Sequence, residues 1–466
     1  MKKYCTMEFK NKKVVVMGLG SYEQGSGISA ALFLAKAGAR VLVTDLKPKS
    51  ALLSQIQKLK KYRNVRFVLG KHREADFKRA DLIIKNPDVP KSSPYLRVAA
   101  KRGIPIHNDW TIFLSLHRNP LIGVTGTRGK TTTATLLNEF LKEHYKTFLV
   151  GNIGTSPLAI AERVKSKDVL VAELSSWNLQ QFPTIKKSPH IAVVTNVLVD
   201  HLNKYKNLEE YWADKDHIWK WQTHRDFLVA NRDSVELRRR VKGARSRVFW
   251  FSEKPFRGDG AYVKGGRIYF THGGNTTSVC RVSDIRVKGA HNLENALAAV
   301  CAAMLAHVSP AHIRKALKSF RGVPNRLELV ATKGGVKYYN DTTATTPDAT
   351  IAALRALNSK RVILCAGGTD KKLDFHAFAR EVKKHAPRLI LFAGTATDKI
   401  VKELKGYKRL LGMAHSMKEA MRLVRANAKK GDIVLLSPGA ASFGIFKNEF
   451  DRGKQFCELV KKVRNE

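Results

Sequence analysis

Apolar positions along the chain gather into short β-branched runs that end at glycine or an acid, with helically spaced stretches between them. Val14-Val15-Val16-Met17 runs into Gly18-Leu19-Gly20, a helical pattern spans Ile28 to Ala37, and Arg40-Val41-Leu42-Val43-Thr44 ends at Asp45. Strand, glycine turn, helix, strand, acid is the layout of a doubly wound nucleotide-binding unit. The segment Ser21 to Gly27 is too long for G-x-G-x-x-G spacing. Two readings therefore stand here: a nucleotide phosphate held at a helix N-terminus, or a glycine turn that only packs strand on helix.

A second unit opens with Leu121 to Thr125, continues through Gly126-Thr127-Arg128-Gly129-Lys130-Thr131-Thr132, and predicts a helix to Leu141. A third begins near Val336 to Tyr339, with strands expected at Arg361 to Cys365, Leu389 to Phe392 and Ile433 to Leu436. Alternating strands and helices predict parallel sheets covered by helices. The stretch Arg247 to Val287, rich in β and turn residues, reads as a small antiparallel excursion inside the second domain. The expected fold class is α/β in three domains: a Rossmann-like N-terminal domain (1–118), a central P-loop ATPase-type domain (119–322) and a Rossmann-like C-terminal domain (323–466).

Composition changes this picture little, and charge changes it more. The 466 residues suffice for several folded cores, and no apolar run approaches the length that spans a bilayer. The apolar run Val14 to Met17 is too short for a signal-peptide core, and the five scattered cysteines lack C-x-x-C spacing. A reducing cytoplasmic compartment is the expected location. The formal charge of +45 should attract polyanions, but Lys and Arg are spread over the whole length with only short runs such as Arg238 to Arg240. A generally basic surface is therefore favoured over a dedicated nucleic-acid domain, and neither nucleic acid nor membrane insertion is expected.

The strongest chemical signal is Gly126 to Thr132. Glycines let successive backbone N–H groups wrap phosphate oxygens, a lysine reaches the outer phosphates, and a hydroxyl holds Mg²⁺. Lys130 and Thr131 take those last two roles in a shortened variant, T-G-T-x-G-K-T. The apolar strand Asp168 to Ala172 ends in Glu173, where an α/β NTPase places a second metal ligand. Another strand, Ile191 to Thr195, leads to Asp200 and His201 on the same sheet edge. His144, His217, His224 and His312 read as structural residues, and Trp212, Trp219 and Trp221 as helix packing.

Seven segments occur in order: T-G-T-R-G-K-T-T, G-N-I-G (Gly151 to Gly154), E-L-S-S (Glu173 to Ser176), N-V-x-x-D-H (Asn196 to His201), H-N-x-x-N-A (His291 to Ala296), G-V-P-N-R (Gly322 to Arg326) and N-D-T-x-A-T (Asn340 to Thr345). Over nearly its full length the chain resembles the Mur ligase family, and most its glutamate-adding members. That resemblance implies an ATP-dependent carboxylate–amine ligase acting on UDP-N-acetylmuramoyl-L-alanine, glutamate and ATP, through an acyl phosphate, as a monomer. It implies ATP contacts at Gly126, Thr127, Arg128, Gly129, Lys130, Thr131, Thr132, Asn292, Asn295, Arg326 and Asp341. Two Mg²⁺ ions would be held by Thr131, Glu173, His201 and a carbamylated Lys215. The UDP substrate would meet Gly18, Gly20, Asp45 and Asn152, and the incoming amino acid Thr345, Lys371 and Ser442. Lys130, His201 and Lys215 would be the catalytic set, with the third domain closing over the second before chemistry.

Four positions depart from the family pattern: Asn325 where histidine is common, Thr343 where lysine is usual, Asp88 where glycine is frequent, and Glu449 where phenylalanine is expected. Three of them lie in or lead into the third domain. The alternatives are a related ligase using another amino acid or stereoisomer such as L-glutamate, a folylpolyglutamate synthase, or a basic P-loop NTPase that binds nucleic acid.

Overall fold

The computed structural model describes residues 8–20, 22–198, 205–287, 290–370, 373–385 and 387–463. Three sheets follow one another along the chain. The first comprises β1 (Lys13–Met17), β2 (Arg40–Asp45), β3 (Val65–Leu69), β4 (Leu82–Lys85) and β5 (Ile106–His107). Its order is β3-β2-β1-β4-β5, with every neighbouring pair parallel. The strand order reverses beside β1, so the glycine loop leaving β1 lies at the switch point where open α/β sheets take ligands.

The second sheet comprises β6 (Leu121–Thr125), β7 (Thr147–Gly151), β8 (Val169–Glu173), β9 (Ile191–Val194), β10 (Phe227–Asn231), β11 (Arg247–Ser252), β12 (Gly260–Lys264), β13 (Arg267–His272) and β14 (Asn275–Arg281). The order is β14-β13-β12-β11-β10-β9-β6-β8-β7. The antiparallel excursion is present but starts later than the composition suggests. β11 and β12 still pair parallel, and only β12–β13 and β13–β14 run antiparallel. Those hairpins turn at Gly265-Gly266 and Gly273-Gly274, and a tight hairpin reverses the chain only where such turn residues stand.

The third sheet comprises β15 (Glu328–Lys333), β16 (Val336–Asn340), β17 (Val362–Gly367), β18 (Arg388–Phe392), β19 (Leu410–Ala414) and β20 (Ile433–Leu436), in the order β15-β16-β20-β17-β18-β19. β15 is antiparallel to β16, and the other pairs are parallel.

The chain divides into two compact units that part between Phe320 and Arg321. In the first unit, one apolar core runs from Val14, Ile28 and Val41 of the first sheet layer to Val150, Leu158 and Leu170 of the second, with Trp110 and Phe113 fully enclosed between them. Polar ties cross the same seam: Ser156 Oγ donates to Asp109 Oδ2 (2.6 Å), Asn108 Nδ2 to Asn178 O (2.8 Å), and Lys91 pairs with Asp214 (2.6 Å). Trp212, Trp219 and Trp221 pack against this core, in their expected role. The second unit builds its own cores on the two faces of the third sheet. Among the described residues no helix is long and apolar enough to cross a membrane.

Candidate active site

β6 lies between β8 and β9, so the segments leaving three neighbouring parallel strands meet at one edge of the second sheet. The turn Gly126 to Gly129 leaves β6 and enters the helix Lys130–Leu141. Gly129 has φ +80°, in the left-handed region, and a Cβ there would collide with Asn295 Oδ1. Only glycine satisfies both demands. No side chain caps that helix, whereas Asn207, Ser234, Ser309, Ser416 and Asn448 each cap theirs. Uncapped N–H groups at the positive end of a helix dipole suit a phosphate.

The turn is framed by the chain leaving β9. Thr127 N donates to Asn196 O (3.0 Å) and Arg128 N to Asn196 Oδ1 (2.8 Å), while Thr195 Oγ1 donates to Arg128 O (2.6 Å). Lys130 Nζ lies over the turn, donating to Gly126 O and Thr127 O, both at 2.9 Å. Lys215, buried on the helix Leu208–Asp216, also donates to Gly126 O (2.9 Å) and sits 4.6 Å above the Tyr211 ring. Thr131 is half-buried in the first turn of its helix, and Thr132 is buried behind it.

Glu173 ends β8 and is 2% exposed. Its Oε1 accepts from Asn152 Nδ2 (3.2 Å), and Oε2, fully buried, takes no hydrogen bond among the described residues. A buried carboxylate oxygen without a donor is costly, and a divalent cation would satisfy it. This orphaned oxygen, on the strand that pairs with the one leading into the glycine turn, fits Mg²⁺. Asn152 is further fixed by its N–H to Glu173 O (2.9 Å). Asn295 is buried against the helix Lys130–Leu141, its Oδ1 3.4 Å from Thr133 Oγ1, and Asn292 is half-buried on the same helix as Asn295. His201 lies outside the described residues. Among the described residues no group of three or more His, Cys, Asp or Glu side chains gathers around a metal position.

At the first sheet, Asp45 is buried and works on the glycine loop itself. Its Oδ2 accepts from Leu19 N (2.8 Å) and its Oδ1 from Lys47 N (2.9 Å). Asn86 Nδ2 donates to Gly18 O (3.3 Å) and approaches Gly20. The loop continues to Gln24, whose carbonyl accepts from Ser156 N (2.8 Å), beyond the Gly151 to Gly154 turn. Asp45 and Asn86 thus fix the Gly18 to Gly20 loop, while Asn152 is held on Glu173.

In the second unit, three loops leave the adjacent strands β16, β20 and β17. Gly439 N donates to Ala344 O (2.8 Å), Gly367 N to Pro438 O (2.8 Å), and Thr369 and Ala441 exchange backbone bonds (2.9 and 3.1 Å). Thr345 and Ser442 stand on two of these loops, half-buried and buried respectively. Lys371 lies outside the described residues. Arg326 is exposed. Asp341 is buried, accepting from Leu327 N (3.0 Å) and Ser437 Oγ (2.7 Å). Two of the departures are neighbours: Thr343 Oγ1 donates to the backbone carbonyl of Asn325 (2.9 Å), and Asn325 Oδ1 accepts from Asn340 Nδ2 (2.9 Å).

Burial pushes the Asp341 carboxyl up to about 6, against the opposing pull of its two hydrogen bonds and of Arg326. A carboxyl that holds its proton more tightly when folded contributes stability below its unfolded pKa, and that stability is lost as pH rises through about 6. Asp341→Asn should therefore gain on the native chain by at most about 3 kcal/mol between pH 4 and 7, with no gain below pH 4. Urea unfolding of both proteins at the two pH values measures it, and parallel curves would contradict it.

Sequence reasoning assigned no role to Asn196, Thr195 or Tyr211. Asn196 stands inside a quoted motif, but its task of framing the turn appears only once β9 is set beside β6.

Comparison with known proteins agrees along the chain. Family models described as Mur ligase MurD-like N-terminal domain, Mur ligase middle domain, and Mur ligase glutamate ligase domain match residues 12–108, 124–303 and 325–439. The UDP-N-acetylmuramoylalanine–D-glutamate ligase of Roseiflexus sp. (strain RS-1) is 40% identical, over 97% of this chain and 99% of its own length. That of Borreliella burgdorferi (strain ATCC 35210) is 36% identical, over 97% and 98%. Among solved structures, UDP-N-acetylmuramate-alanine ligase MurC from Thermotoga maritima superposes with a TM-score of 0.61 at 18% identity, over 97% of this chain and 100% of that one. MurF from the same organism, in complex with ADP, gives 0.55 at 19%, over 99% of both chains. With three family domains in sequence and near-full-length relatives well above 30% identity, the chain belongs to the Mur ligase family.

Proposed function

We propose that this chain joins D-glutamate to UDP-N-acetylmuramoyl-L-alanine in peptidoglycan precursor synthesis, splitting ATP to ADP and phosphate. The observation that carries the reading is the uncapped glycine turn with Lys130 laid over it, next to the orphaned carboxylate oxygen of Glu173. Phosphoryl transfer asks for little else than positioned positive charge around a triphosphate.

In the first step an oxygen of the substrate carboxylate attacks the γ-phosphorus, and the bond to ADP breaks. Lys130 would spread the charge that builds on the γ-phosphoryl oxygens. In the second step the amine of D-glutamate attacks the acyl carbon, phosphate leaves, and the amine proton passes to solvent. Thr131, Glu173, His201 and Lys215 would hold Mg²⁺, which when bound neutralises the phosphate oxygens. Lys215, buried and touching the turn, suits carbamylation, since a neutral or anionic group there would stop competing with that cation. The substrate's uridine diphosphate is assigned to Gly18, Gly20 and Asp45 and its carboxylate end to Asn152. Asn292, Asn295, Arg326 and Asp341 are assigned to the nucleotide, and Thr345, Lys371 and Ser442 to the amino acid.

Phosphate release with MgATP and UDP-N-acetylmuramoyl-L-alanine, with D-glutamate, L-glutamate and neutral amino acids offered in parallel, tests the proposal. Release that depends on D-glutamate is expected. Release driven equally by another amino acid would replace the acceptor, and none with any would remove the reading.

A further inference from the structure

Arg452 is 0% exposed, in the first turns of the helix Glu449–Lys461. Its guanidinium donates from Nε to Thr342 Oγ1 (3.0 Å), from Nη2 to Thr342 O (2.8 Å) and from Nη1 to Ala440 O (3.4 Å). Every partner is neutral. Among the described residues no carboxylate stands within ion-pair distance of it, whereas Arg355, Arg361 and Arg388 in the same unit each pair with an acid. Burial pushes the guanidinium down to about 10, with Glu449 as the acid that opposes the fall. A buried cation without a counter-ion is among the most costly arrangements a fold can hold.

Its location accounts for that cost. Thr342 adjoins Asp341, and Ala440 lies on the loop that ends at Ser442, so one guanidinium fastens the two loops together. Arg452 also packs beside Gly367, Gly368, Ser442 and Phe443. The packing beneath it leaves no slack: a Cβ on Gly453 would stand 2.6 Å from both Asn325 Oδ1 and Thr342 Cγ2. The Thr342 hydroxyl is saturated as well, donating to Glu449 O (2.7 Å) while accepting from Arg452.

We propose that Arg452 is a specificity-determining positioning residue: it holds the Ser442 loop against the Asp341–Thr342 turn, and the field of its enclosed charge favours an anionic side chain on the incoming amino acid. The inference rests on the reading that this loop receives a dicarboxylate amino acid. Enclosed and already bonded to backbone, the guanidinium acts through the loop and through its charge, with no need to touch the reacting atoms. A neutral acceptor would leave the buried charge unbalanced, which disfavours it without any steric block.

Steady-state kinetics of Arg452→Met and Arg452→Lys test this, with wild type measured first on D-glutamate. A wild type that does not use D-glutamate sinks the functional reading and says so before any variant is compared. Arg452→Met should raise KM for D-glutamate on the order of 30-fold, the loss of charge-assisted hydrogen bonds. KM for the UDP substrate should stay within about 3-fold, as should acyl phosphate trapped by hydroxylamine at saturating MgATP without amino acid. Arg452→Lys keeps the charge but lacks the planar fork, so a smaller rise of about 5-fold in the D-glutamate KM alone is expected. If the methionine variant does not fold, the lysine variant decides by the same selective rise. Unchanged D-glutamate KM in the folded variants, or an equal rise in the KM for the UDP substrate with no advantage for lysine, would overturn the proposal.

Discussion

Lys130→Ala is expected to lower turnover by about 10³-fold or more while leaving the fold intact. Lys130 Nζ is held at 2.9 Å from two carbonyls of its own turn, Gly126 O and Thr127 O. Those acceptors fix the amine over the cradle at the place where outer phosphate oxygens would lie. The side chain is only partly buried and its removal opens no core cavity, so thermal unfolding should move little. Lys130→Arg should not rescue the loss, because a planar fork cannot replace a compact ammonium inside so tight a turn. Phosphate release and a melting curve on the same samples check both halves. Full turnover in the alanine variant would contradict the phosphate assignment.

Glu173→Gln should move activity and stability in opposite directions. The native carboxylate is buried with Oε2 lacking any donor among the described residues, a burden on the fold in the absence of metal. An amide of the same shape removes the charge, so the metal-free variant should be as stable as the native chain or more so, by roughly 1–2 kcal/mol. Turnover should fall by about 10²-fold or more, since the proposed ligand for the cation is gone. Mg²⁺ with ADP should raise the melting temperature of the native protein and scarcely that of the variant. A variant that loses stability without metal and still responds to Mg²⁺ with ADP would show that Glu173 is a structural acid.

What could be read from the sequence was whatever depends on local spacing. Gly126 to Thr132 announces itself because turn, cation and hydroxyl must be contiguous, and Glu173 because it closes an apolar strand. β15 (Glu328–Lys333) escaped notice because it is an edge strand, half-exposed along its length, with a register shift against β16 that breaks the alternation. β19 (Leu410–Ala414) escaped because it carries Gly412 and has no fully buried face. Tertiary pairings were out of reach altogether. Nothing near Asp45 in sequence says that its carboxylate ties down Leu19 N, 26 residues away. Arg452 is one of many basic residues until the fold encloses it. Asn325 and Thr343 read as separate departures from the family pattern, and the fold places them together, with the Thr343 hydroxyl on the Asn325 backbone carbonyl.

The central claim is that the cradle delivers the γ-phosphoryl group of ATP to the substrate's carboxylate. Its most direct measurement is isotope transfer: UDP-N-acetylmuramoyl-L-alanine carrying oxygen-18 in its terminal carboxylate is turned over with MgATP and D-glutamate, and the released phosphate is weighed by mass spectrometry. An acyl phosphate predicts one labelled oxygen in each phosphate and the other retained in the new amide. Unlabelled phosphate, or label recovered in AMP, would contradict it.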